Sequence, residues 1–92
     1  MKIHTKSGFV CEVNERKARD WEFVEALADC ESEKESEQVR GITKVVPFLL
    51  GKEGSRALQD HVRDKDGVAD IDLIMEEFKE ILIQIGEKSK KS

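Results

Sequence analysis

The chain has no tyrosine, one tryptophan, one proline, two cysteines and two histidines in 92 residues. Two cysteines cannot build the several bridges that staple small secreted domains. With no export signal in front of them, Cys11 and Cys30 are expected to be reduced thiols. A zinc site would need both to converge with His4 and His61, and no short paired spacing favours that. Long apolar runs are missing too: the longest, Val45 to Leu50, holds six residues including Pro47, far short of the roughly 20 that span a bilayer. Positive charge is in deficit, with 16 Lys plus Arg against 20 Asp plus Glu and a net charge of −4. The phosphate field on which nucleic-acid binding depends would repel such a chain, so neither nucleic acid nor membrane is an expected partner. Met1 to Lys6 lacks the apolar stretch and small-residue cleavage pattern of a secretory leader, and a cytoplasmic protein is expected.

What is there is 38% hydrophobic and 39% charged residues, which suits one small domain with a modest core and a solvated surface. The reading is mainly α: an N-terminal β-hairpin followed by about four helices over residues 1–86, then a flexible basic tail, 87–92, with no apolar residue. A three-residue loop, Lys6-Ser7-Gly8, puts Gly8 at the left-handed position such loops require. Thr5 then faces Phe9 and Ile3 faces Cys11, so Ile3, Phe9, Cys11 and Val13 share one face.

Asn14 is expected to cap a helix running to about Cys30, with Trp21, Val24 and Ala28 beside Phe23, Leu27 and Cys30 on a broad apolar face. The acidic stretch Asp29 to Glu37 reads as a loop, with Ser36 as the next cap. A second helix carries Val39, Ile42, Val46, Leu49 and Leu50 on one stripe, is kinked by Pro47 and is closed by Gly51. A third, from about Glu53 to Arg63, presents Ala57, Leu58, His61 and Val62, with the His61 ring against Leu58 or bonded to a neighbouring turn. Asp70 caps the last helix, where Ile71, Ile74, Met75, Phe78, Leu82 and Ile85 recur at three-and-four spacing up to Gly86.

Motifs for chemistry fall short. Asp64 to Asp72 imitates the start of an EF-hand loop, but Val68, Ala69 and Met75 stand where calcium coordination needs an oxygen ligand, a turn-making Gly and a bidentate Glu. Gly51-Lys52-Glu53 lacks the upstream Gly and following hydroxyl of a phosphate loop. No nucleophile, base and oxyanion donors form a recognisable set. The expectation is a protein that is not an enzyme and carries no cofactor and no metal.

Lys6-Ser7-Gly8-Phe9, Asp20-Trp21-Glu22, Leu50-Gly51-Lys52-Glu53-Gly54, Ala57-Leu58, His61-Val62-Arg63-Asp64 and Asp66-Gly67, taken in order, resemble the small tail assembly chaperones of siphophages and prophages of Gram-positive bacteria. The likeness covers nearly the whole chain; Pro47 and Cys11 depart from it. It implies a non-enzymatic protein of the bacterial host cytoplasm that binds the phage tape measure protein, keeps it soluble and helps recruit tail tube protein. A homo-oligomer or ring is a further implied state. Such families often make a longer form by ribosomal frameshifting, and this chain would be the short one. Lys90-Lys91 suits either a slippery coding sequence or an ordinary solubilising tail. A degenerate EF-hand-like regulatory module and a small antitoxin-like binding protein are the alternatives. Gene neighbourhood separates them.

Helical geometry, at about 100° per residue, places Leu73 and Ile83 away from the stripe containing Ile71, Phe78 and Leu82, and Phe48 away from that of Val39, Ile42 and Val46. These three apolar residues are the expected protein-binding positions.

Overall fold

The computed structural model describes residues 1–89. Strands β1 (Lys2–His4) and β2 (Val10–Glu12) form an antiparallel hairpin in which Ile3 faces Cys11. Its loop is the expected three-residue one: Gly8 has φ +96°, its N–H donates to the Thr5 carbonyl at 3.0 Å, and the Thr5 N–H donates to Phe9 at 2.9 Å. Ile3, Phe9, Cys11 and Val13 are all buried, together with Thr5.

Asn14 does cap, but what it opens is a short 3-10 turn, Glu15–Arg19, rather than a long helix. Asp20 breaks the path with extended backbone angles, and its carboxylate accepts the Phe23 N–H at 3.2 Å to start α1 (Trp21–Cys30). Only one side of α1 enters the core. Phe23 and Ala26 are buried, whereas Trp21, Val24 and Ala28, expected on a broad apolar face, stand exposed. They lie on the side of α1 opposite Phe23 and Ala26, which faces away from the core.

Helix α2 (Glu35–Val62) takes in part of the acidic stretch expected as loop. Ser36 lies inside it instead of capping; Ser32 Oγ receives the Lys34 N–H at 3.1 Å and donates to Glu37 at 2.5 Å. The second and third expected helices are this one element, so the described residues form three α-helices where about four were expected. Gly51 is the reason. It departs from helical angles for a single residue (φ 78°, ψ 170°) and the helix resumes at once, with no connecting loop. Pro47, expected to kink the helix, keeps helical angles there; the residue without a Cβ takes the bend instead. Val45 and Leu58 are fully buried, while Val39, expected on the stripe, is exposed near the first turns.

Asp70 caps α3 (Ile71–Ser89) as expected, accepting the Asp72 N–H at 2.8 Å. Ile74, Phe78, Ile81 and Ile85 are the buried line, with Met75 and Leu82 half-buried beside it. Ile71 is exposed, one turn before the packing begins, and Ile81, absent from the expected stripe, is fully buried. Burying a side chain of that size contributes about 1.5–3 kcal/mol. The helix continues past Gly86 to Ser89, so its end lies inside the segment expected as tail; residues 90–92 are outside the described part of the chain. No helix among the described residues is long and apolar enough to cross a membrane.

Candidate functional site

Polar side chains gather under the hairpin loop. Glu77 Oε1 accepts the hydroxyls of Thr5 at 2.8 Å and Ser7 at 2.7 Å. Because the Ser7 proton is committed to Glu77, its oxygen receives a proton from His61 Nε2 at 2.9 Å, which sets the imidazole tautomer. Thr5 Oγ1 also accepts the Phe9 N–H at 3.2 Å, and the His61 ring lies 5.4 Å from that of Phe9. In a serine nucleophile the imidazole takes the hydroxyl proton and the acid holds the imidazole. Here the acid takes the proton and the imidazole donates. Ser7, His61 and Glu77 therefore act as a latch between hairpin, α2 and α3.

The latch continues along α3. Glu80 accepts the Lys6 N–H at 2.9 Å, Gln84 donates to the His4 carbonyl at 2.7 Å, and Lys88 donates to the Lys2 carbonyl at 2.7 Å. Spacings of three and four keep Glu77, Glu80, Gln84 and Lys88 on one helix face, where Gln84 and Lys88 satisfy carbonyls on the outer edge of β1 and Glu77 and Glu80 bond the loop that follows it. Of the helical members of this set only His61 drew notice in the sequence; a polar face on an amphipathic helix carries no mark of what it will bond.

The EF-hand-like stretch folds as a closed turn. Asp64 Oδ1 accepts the N–H groups of Asp66 at 2.8 Å and Val68 at 3.0 Å, Gly67 has φ +82°, and Arg63 donates to the Gly67 carbonyl at 2.6 Å. The Asp64 carboxylate is engaged with its own backbone. No group of three or more His, Cys, Asp or Glu among the described residues is arranged to hold a metal ion.

Cys11 is buried in the hairpin face and Cys30 half-buried at the end of α1, both free. Burial raises both thiols above their ordinary range, reinforced by Glu12 at Cys11 and by Asp29 and Glu31 at Cys30. This environment opposes the thiolate that a nucleophile or metal ligand needs.

The expected binding residues are exposed: Phe48 by 37%, Leu73 by 43% and Ile83 by 52%. They do not share a groove. Phe48 lines the cleft between α1 and α2, stacked 5.9 Å from Phe23 and with the Lys17 ammonium 5.8 Å from its ring. Ile83 lines a shallow surface on α3 with Lys79 and Glu87, and Leu73 lines neither. Sequence reasoning put Trp21 on the apolar face of the first helix, whereas it is the most exposed large apolar residue at 76%. Its neighbours Asp20 and Glu22 and the acids that punctuate α1 were the available signal that this face is not all core.

No protein-family model, no curated protein and no solved structure matches this chain.

Proposed function

We propose that this chain is a phage tail assembly chaperone, the short form of a frameshifted pair, which binds the tape measure protein and helps recruit tail tube subunits in the bacterial host cytoplasm. It catalyses no reaction. The observation that carries this reading is the exposure of Phe48, Leu73 and Ile83 on an acidic, mainly α domain. Bulky apolar groups on a charged surface are suited to covering the apolar stripes of long helices, and each contact that becomes fully buried contributes about 1.5–3 kcal/mol. The order of the short motifs along the chain supplies the family.

The test replaces Phe48, Leu73 and Ile83 by Ser together and follows thermal stability and co-purification with the tape measure protein encoded downstream. Stability largely retained with binding lost is the expected result. Unchanged binding removes this surface, and a neighbourhood without a tape measure gene removes the reading itself.

A further inference from the structure

Both α1 and α3 pack on α2, and between them they leave a groove of about 520 Å³. Its floor is Ile42 of α2 and Phe78 of α3, both buried. Leu27 and Cys30 form the α1 wall, and Met75 and Leu82 form the α3 wall; all four are half-buried. Val24, one turn before Leu27, is exposed beyond the rim of the groove, and Trp21 faces away from it.

Charge around this surface is one-sided. The groove edge carries Glu31, Asp72 and Glu76 against the single ammonium of Lys79. Glu22, Glu25 and Asp29 of α1 face the other cleft, toward Lys44, and take no part in this edge.

We propose that this groove receives a basic amphipathic helix from a partner protein. Two helices lying side by side on a third leave a position that a fourth helix fills, its apolar stripe on the floor and its flanks against the walls. Met75 suits such a contact because its unbranched thioether adapts to varied side chains. The acidic edge selects Lys and Arg on the flanks of the incoming helix. A second copy of this chain is a poor occupant, since it brings a net charge of −4 to an edge already negative. None of Phe48, Leu73 and Ile83 lines this groove, so the inference stands apart from the tape measure reading.

The test titrates the intact chain with a synthetic helical peptide bearing Leu at i, i+3, i+4 and i+7 between Lys flanks. A Glu-flanked version and a scrambled Lys version are the controls. The methyl groups of Leu27, Met75 and Leu82, which wall the groove, report by NMR. The Lys-flanked helix is expected to move the Leu27, Met75 and Leu82 signals and to leave the emission of Trp21, on another face of α1, unchanged.

In Glu31→Lys/Glu76→Lys, two exposed positions, its affinity is expected to fall by about tenfold or more, with preference passing to the Glu-flanked peptide. Met75→Gln is expected to weaken binding without changing that preference. Equal binding of the scrambled peptide, indifference to the charge reversal, or self-association that itself moves the Leu27, Met75 and Leu82 signals would each overturn the proposal. Peptide binding lost while the tape measure protein is still captured would overturn the groove alone; the opposite result would overturn the chaperone reading alone.

Discussion

Glu77 receives hydroxyl protons from residues 72 and 70 positions earlier in the chain, and one carboxylate thereby fixes the hairpin loop to α3. Hydrogen bonds to a charged acceptor contribute about 1.5–3 kcal/mol when partly shielded from water. Glu77→Leu is therefore expected to lower the urea unfolding free energy by about that amount, and Ser7→Ala by less, because Thr5 still donates. An unaltered midpoint in Glu77→Leu would show that the latch is idle. The thiols set a second residue-scale expectation, and its sign follows from linkage. Burial raises Cys11 and Cys30 in the folded state, so the native chain holds these protons more tightly than the unfolded one. Their contribution is complete below the unfolded thiol value of about 8.5 and is lost as pH rises through the folded values. Unfolding free energy is expected to decline above that pH, and Cys11→Ala/Cys30→Ala is expected to decline less. Parallel curves for the two proteins would contradict it.

Among the elements, two glycines of α2 do opposite work. A Cβ on Gly41 would lie 2.7 Å from the Ala26 carbonyl oxygen and 2.7 Å from the Cys30 nitrogen, so only Gly lets α2 approach the backbone of α1 this closely. A Cβ on Gly51 meets nothing, but its φ of +78° is strained for any other residue. Gly41→Ala is expected to cost about 1–3 kcal/mol through forced separation of the helices, and Gly51→Ala about 1–3 kcal/mol through backbone strain. Chemical denaturation measures both, and near-ultraviolet circular dichroism from Trp21 is expected to change only in the first. These two positions also show where the sequence was readable. The hairpin register was legible because Gly8 and the alternation of Ile3, Phe9, Cys11 and Val13 agree on one pairing. The Asp70 cap and the line Ile74, Phe78 and Ile85 were legible because a cap and a repeat coincide. The union of two helices at Gly51 was not, since a glycine that ends a helix and one that bends it look alike in sequence. Val45, Ile81 and Trp21 were misjudged or passed over because which side of a helix is buried depends on the neighbours it packs between, and periodicity leaves that open. The candidate surface was half legible: the exposure of Leu73 and Ile83 followed from their angles, but the groove walled by Leu27 and Met75 exists only once α1 and α3 lie on α2.

For the whole molecule, the fold is closed by contacts between its two ends. Lys88 bonds the Lys2 carbonyl, Gln84 that of His4, and Glu80 the Lys6 N–H, across separations of 86, 80 and 74 residues. The two-stranded hairpin is too small to be stable alone, so its order depends on the apolar face it shares with the core and on this polar seam. Hydrogen exchange should therefore find the hairpin and α3 opening together in the native protein, with the Ile3 amide as protected as that of Ile81. Glu77→Ala/Glu80→Ala removes the seam while leaving the buried line of α3 intact. Losing bonds to two carboxylates is expected to speed exchange at Ile3 and Cys11 by about tenfold or more, with much less change at Leu58 in α2. Equal acceleration everywhere would mean that the double variant only lowers global stability. No acceleration would mean that apolar packing holds the hairpin without the seam, which would confine the polar face of α3 to solvation and return Ser7, His61 and Glu77 to consideration as groups free to bind something else.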